Sequence, residues 1–172
     1  MEKAEKNSYA IKKATSLIIK ALRSKKVIFT CGNGGSASQA SHLTAELLGR
    51  YKKKRRSLPS MSLNANESVV TCISNDFGYD NLFSRQLEGL GKKGDILISY
   101  STSGKSKNIL NAIKSAKEKG MVTISLLGNK GGLCKGKSDC EIIIKSASTA
   151  LIQEKHLEVT HMLCDDIDKV FN

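Results

Sequence analysis

Two hydrophobic rhythms alternate along this chain. Between residues 8 and 24, Ala10, Ile11, Ala14, Leu17, Ile18, Ala21 and Leu22 recur at the 3.6-residue spacing of an amphipathic helix. A short apolar run follows at 27 to 31, and similar runs return at 60 to 63, 96 to 100, 122 to 127 and 140 to 144. Each is too short for a helix and reads as a buried strand. Helical spacing reappears at 37 to 50, 67 to 74, 108 to 119 and 149 to 171. This alternation predicts a doubly wound α/β fold: a five-stranded parallel sheet covered by helices on both faces, preceded by an N-terminal helix over residues 1–24. Gly120 falls where a helix should stop before Val122, and Gly131-Gly132 marks a turn after the fourth strand. With 172 residues, the expectation is one domain over 1–172.

Two of the strand-to-helix turns carry candidate chemistry. The first strand breaks into Cys31-Gly32-Asn33-Gly34-Gly35-Ser36, where glycines let backbone amides and a helix N-terminus approach an anion. The third leads into Ser101-Thr102-Ser103-Gly104-Lys105-Ser106, four hydroxyls among six residues before the next helix. One of these would suffice as a cap, whereas a phosphate requires several donors together. Gly32-x-Gly34-x-x-Ala37 also meets a relaxed dinucleotide fingerprint, but position 52 begins a basic run where the acidic ribose anchor belongs.

The 28 Lys and Arg residues exceed the 16 Asp and Glu, giving a net charge of +12 that favours anionic ligands. The run Lys52-Lys53-Lys54-Arg55-Arg56 has no interleaved aromatic residues, so it reads as a solvated loop and nucleic acid is not an expected partner. The five cysteines are widely spaced and mostly in apolar runs, which points to reduced, buried thiols. No apolar run reaches the roughly 18 residues of a membrane span, and Met1-Glu2-Lys3-Ala4-Glu5-Lys6 is too polar for a signal peptide. A cytoplasmic protein without membrane contact is expected.

Three histidines are present: His42, His156 and His161. His42, Glu46 and Arg50 are spaced by four and share one helix face, opposite Ala40, Leu43, Thr44, Leu47 and Leu48. That face is either a solvated surface with a weak ion pair or the wall of a site next to the glycine turn. On the last helix His156 lies on the apolar stripe of Ile152, Val159, Leu163, Ile167 and Val170 and reads as a packed residue. His161 shares the other face with Gln153 and Thr160, which periodicity alone assigns to solvent. Asn75-Asp76-Phe77-Gly78 ends the helix at 67 to 74, either as a plain stop or with Asp76 holding a sugar hydroxyl.

Taken together the motifs resemble the sugar isomerase (SIS) domain and, within it, the phosphoheptose isomerases. The resemblance rests on residues 31–36, His42 with Glu46-Leu47-Leu48-Gly49-Arg50-Tyr51, Asn75-Asp76-Phe77-Gly78, Phe83-Ser84-Arg85, residues 101–106, and Ile152-Gln153-Glu154 followed by His156 and His161. It implies a homotetramer, with the N-terminal helix at the interface, that converts sedoheptulose 7-phosphate to D-glycero-D-manno-heptose 7-phosphate for bacterial surface heptose. It further implies substrate contacts at Asn33, Gly34, Gly35, Ser36, Asn75, Asp76 and Gln153, and a phosphate held by Ser101, Thr102, Ser103 and Ser106. Glu46 and His161 match the acid/base pair. His42, Glu46, Gln153 and His161 match positions that bind zinc in some members, one ion per subunit. The family usually has an acidic residue and an arginine just before Ile152, where this chain has Ala150 and Leu151. The rival reading is a catalytically silent SIS module, sensing sugar phosphates or associated with replication initiation. An NADP-binding reductase is a distant third.

Overall fold

The computed structural model describes the backbone of residues 2–172 and the side chains of residues 8–172. Its sheet holds β1 (Ile28–Gly32), β2 (Ser60–Ser62), β3 (Ile96–Ser101), β4 (Val122–Gly128) and β5 (Cys140–Ile144), all parallel, in the order β2-β1-β3-β4-β5. β1 and β3 are buried along their whole length, as strands covered on both faces must be. Their continuous apolar runs made them readable from sequence.

Helices α1 (Glu2–Arg23), α2 (Gly35–Leu48) and α6 (Thr149–Phe171) cover one face. There Ile18, Leu22, Leu43, Leu47, Leu163 and Ile167 pack on Ile28, Ile98, Tyr100, Leu126 and Ile142. On the other face, α3 (Glu67–Phe77), α4 (Leu82–Leu90) and α5 (Lys107–Glu118) bury Ile73, Phe83, Leu87, Ile109 and Ile113 against Phe29, Leu97 and Leu127. In a sheet of this order the connections leave β1 and β3 toward opposite faces, which opens a crevice beyond their carboxyl ends. The glycine turn and the serine-rich turn both lie at that crevice.

Several elements differ from the sequence reading. The pattern predicts nothing over α4, a nine-residue helix with a glycine at position 89 and no side-chain cap; it is held by packing on α5, with Ser115 Oγ donating to the Ser84 carbonyl at 3.2 Å. α3 continues through Asn75 and Asp76 and ends at Gly78, whose φ of 81° is a left-handed stop. α2 ends at Leu48, so Arg50 lies outside the helix, and Leu48 itself is exposed. Cys72 is likewise exposed, whereas Cys31, Cys134, Cys140 and Cys164 are buried, free thiols.

The largest correction concerns the basic run. Arg55 is almost completely buried, and its Nε donates to Asp168 Oδ1 at 2.8 Å. The backbone amides of Lys52 and Lys53 donate to Asp168 Oδ2 at 3.0 and 3.1 Å. A buried carboxylate needs partners of this kind, and Asp168 obtains all of them from a segment that charge patterning assigns to solvent. Lys52 also pairs with Asp165 at 2.8 Å, but on the exposed surface.

Candidate active site

At the end of β1 the chain enters α2 through Gly34, which takes φ 56° and ψ −125°, a backbone region that side chains disfavour. Asn64 pins the strand end on both sides, accepting from the Gly32 amide at 3.2 Å and donating to the Gly32 carbonyl at 2.9 Å. Asn33 is fixed by three hydrogen bonds from two partners. Its amide exchanges reciprocal hydrogen bonds of 2.9 and 2.8 Å with buried Asn108 on α5, and its Oδ1 also accepts from the Tyr79 hydroxyl at 2.8 Å. The two turns are thus tied together by one amide pair, and Tyr79 connects the Asn75-to-Gly78 stop to them. Asn75 and Asp76 are exposed, with Asn75 Nδ2 donating to Asp76 Oδ1 at 2.7 Å.

In the second turn, Ser101 Oγ accepts from the Gly104 amide at 3.0 Å and Ser103 Oγ from the Lys105 amide at 3.1 Å. Ser106 stands at the N-cap of α5 with no side-chain capping bond, so its hydroxyl is not consumed by the helix. Gly104 has φ 64°, and a Cβ there would overlap the Gly131 backbone. The loop therefore holds spare hydroxyls and a twelve-residue helix N-terminus at the crevice, the donor set and dipole end that suit a phosphate. Ser36 is buried in the first turn of α2.

α2 and α6 run side by side in the same direction. Near their starts the Gln39 amide donates to the Gln153 carbonyl, and the Gln153 carboxamide lies against Gly35 so closely that a Cβ at position 35 would collide with it. Two turns farther, His42 Nε2 lies 3.1 Å from His161 Nε2 and 3.3 Å from Glu46 Oε1. The rings of His42 and His161 are tilted by 57° with centroids 5.3 Å apart. Tyr51 also stacks on His161, at 5.4 Å and 25°. Tyr51 is a member of this cluster that the sequence reading quoted only within the motif after His42 and gave no role. His161, assigned to solvent by periodicity, is instead half-buried because α2 covers it. His156 is fully buried and belongs to the core.

The structure thus brings together His42, Glu46 and His161, and it gathers Asn33, Gly34, Gly35, Ser36 and Gln153 at the glycine turn. Ser101, Thr102, Ser103 and Ser106 form the neighbouring loop. A carboxylate and two imidazoles linked through His42 can take up, hold and return a proton. They also match zinc as donors: on a tetrahedral ion with donors at about 2.0–2.1 Å, adjacent donors are about 3.3 Å apart, close to both His42 separations. Gln153 is not with them, since Gly35 precedes His42 by seven residues, about 10 Å along the helix axis. Among the described residues no three His, Cys, Asp or Glu side chains form a ready metal cage.

Comparison with known proteins agrees with this architecture. A family model described as SIS domain matches residues 1–128. Phosphoheptose isomerase of Nitratiruptor sp. is 48% identical over 167 residues, covering 97% of this chain and 89% of the relative. The structure of a phosphoheptose isomerase from Francisella tularensis superposes with a TM-score of 0.91 at 32% identity, covering 98% of this chain and 92% of the other. One from Neisseria gonorrhoeae gives 0.89 at 37%, covering 98% and 90%. With sequence and fold in agreement over nearly the whole chain, the protein belongs to the SIS domain family, among the phosphoheptose isomerases.

Proposed function

We propose that the chain is an aldose–ketose isomerase that converts sedoheptulose 7-phosphate to D-glycero-D-manno-heptose 7-phosphate. The observation that carries this reading is the meeting of His42 with Glu46 and His161, from opposite ends of the chain, on the helix that begins at the glycine turn of the crevice. In the proposed reaction the phosphate sits on Ser101, Thr102, Ser103 and Ser106, and binding energy from this remote group orients the reacting carbons. Glu46 removes a proton from C1 of the ketose while His161 protonates the C2 oxygen, giving the 1,2-enediol. Return of the carbon-bound proton to C2, with loss of the proton from the C1 oxygen, leaves the aldose. Asn33, the Gly34-Gly35 backbone, Ser36, Asn75, Asp76 and Gln153 are the proposed sugar contacts. Ala150 and Leu151 offer no polar group beside them.

Zinc is part of the proposal. His42, Glu46 and His161 would hold it, joined by Gln153 if its side chain leaves Gly35, and the ion would polarise the sugar oxygens when bound. The proposed assembly is a homotetramer with α1 at its interface, working in the cytoplasm toward surface polysaccharide or capsule heptose. Among the described residues no helix is long and apolar enough to cross a membrane.

The test is incubation with sedoheptulose 7-phosphate and identification of the product by NMR, in wild type and Glu46→Gln. We expect the heptose 7-phosphate aldose from wild type and a turnover lower by about two to four orders of magnitude in the variant, the usual effect of losing a general acid or base. No aldose from wild type, with or without added zinc, refutes the activity. A variant keeping more than about a tenth of kcat removes Glu46 from the base role. Chelation followed by zinc re-addition tests the metal separately: unchanged activity, with no binding of micromolar or better affinity, rejects it.

A further inference from the structure

We propose that the segment following α2 is a strap that sets the spacing of the acid/base pair, with Tyr51, Arg55 and Asp168 as positioning residues. This rests on the isomerase reading for its consequence, but the strap itself is geometry. α2 closes with the Gly49 amide on the Ala45 carbonyl at 2.8 Å, leaving the carbonyls of Glu46 and Leu47 without helical partners. Arg55 comes back to them. Its Nη1 donates to the Leu47 carbonyl at 3.0 Å and its Nη2 to the carbonyl of Glu46 itself. The same guanidinium holds Asp168 on α6 through Nε.

Asp168 follows His161 by seven residues, two helical turns, so both lie on one side of α6. One buried cation therefore bridges the backbone of the residue proposed as base to the helix that carries the proposed acid. Between these anchors the amides of Lys52 and Lys53 are fastened to Asp168, and the adjoining Tyr51 ring stacks on His161 with centroids 5.4 Å apart and planes 25° from parallel. The imidazole is in contact with both Tyr51 and His42.

Arginine is required at position 55 because its planar fork reaches a carboxylate and the carbonyls of Glu46, Leu47 and Arg56 at once, which a lysine ammonium on a flexible stem does not reproduce. A pair this deeply buried is weak evidence of a stabilising role, since desolvation offsets much of its attraction. A contact that aims two reacting groups has a different signature: small misplacement lowers turnover while substrate affinity is retained.

The experiment measures kcat and KM at 25 °C with sedoheptulose 7-phosphate in wild type, Tyr51→Leu, Tyr51→Phe and Arg55→Lys, together with the NMR shifts of the His161 ring protons in the substrate-free protein at one fixed pH. We expect Tyr51→Leu and Arg55→Lys to lower kcat about ten- to a hundredfold with KM within about twofold. Tyr51→Phe, which keeps the ring, should restore kcat. The His161 signals should lose the ring-current displacement due to Tyr51 in Tyr51→Leu, keep it in Tyr51→Phe, and move in Arg55→Lys. The strap is refuted if folded Tyr51→Leu retains kcat within about twofold, or if the His161 signals are the same in wild type and Tyr51→Leu. If Arg55→Lys fails to fold, the Tyr51 pair decides the question. If wild type proves inactive on this sugar, the functional reading fails and the NMR arm still judges the strap.

Discussion

Replacing His156 with phenylalanine should flatten the acid dependence of stability. The ring of His156 is fully buried in α6, edge-on to Tyr100 with centroids 6.1 Å apart and planes at 68°, and neither ring nitrogen has a hydrogen-bond partner. Burial pushes its pKa down from 6.5 to about 4, and the nearby Leu127 backbone, outside hydrogen-bond geometry, offsets only part of that. The unfolded chain therefore binds a proton near pH 6.5 that the folded protein refuses. Stability from this group is complete above pH 6.5 and is lost as pH falls toward 4, at about 1.4 kcal/mol per unit within that window. From pH 7.5 to pH 5 the loss is about 2 kcal/mol. His156→Phe keeps a planar ring against Tyr100, removes the titration and deletes two unpartnered polar atoms. Urea unfolding of both proteins across this range, compared as a difference so that every other titrating group cancels, should show the variant gaining about 2 kcal/mol relative to wild type on acidification. Parallel profiles would show that the folded protein protonates His156 as readily as the unfolded chain does, and would sink the argument.

Other expectations follow from the same geometry. Ser103→Ala and Ser106→Ala should each weaken binding of phosphorylated sugar by roughly 1.5–3 kcal/mol, or about ten- to a hundredfold, with no change for the unphosphorylated sugar; calorimetry showing equal losses for both ligands would remove phosphate from this loop. Gly104→Ala places a Cβ at φ 64° against the Gly131 backbone and should cost at least about 2 kcal/mol of stability in denaturant unfolding; a cost below about 0.5 kcal/mol would contradict the packing of these two loops. For Asp168, burial works to raise the carboxyl pKa, but the Arg55 hydrogen bond and the Lys53 and Lys52 amides outweigh it and hold the value below 3.8. Its contribution is thus present above about pH 4 and lost as pH falls through the lowered value. Asp168→Asn should be destabilised by about 3 kcal/mol at pH 7, with the gap to wild type closing below pH 4; a constant gap would rule this out.

The strands were legible because β1 and β3 are buried on both faces, so their apolar runs are nearly unbroken and match no helical period. α4 was not, because its four apolar residues and one glycine over nine positions leave too short a pattern to stand out, and its order comes from α5. At the site, His42 and Glu46 were visible from their spacing of four, and the glycine and serine turns from their composition. Arg55 was not. Its neighbours Lys52, Lys53, Lys54 and Arg56 are cations too, and what separates it from them is Asp168, an acid 113 residues away beside the apolar stripe of α6. A carboxylate adjoining Ile167 on that stripe is the one sequence signal that a buried cation had to be found for it.

His161 shows why periodicity misassigned the rest. An amphipathic pattern tells which side of a helix faces the sheet and hands the other side to water by default. That default fails where two helices cover the same sheet face side by side, since their polar flanks then meet each other. α2 and α6 do this along three successive levels: Gln39 with Gln153, His42 with His161, and the end of α2 with Asp168 through Arg55. Each flank reads as ordinary surface by itself. Only the topology, which places the first helix after β1 next to the last helix of the chain, turns two solvated faces into one polar seam that opens at the crevice between β1 and β3.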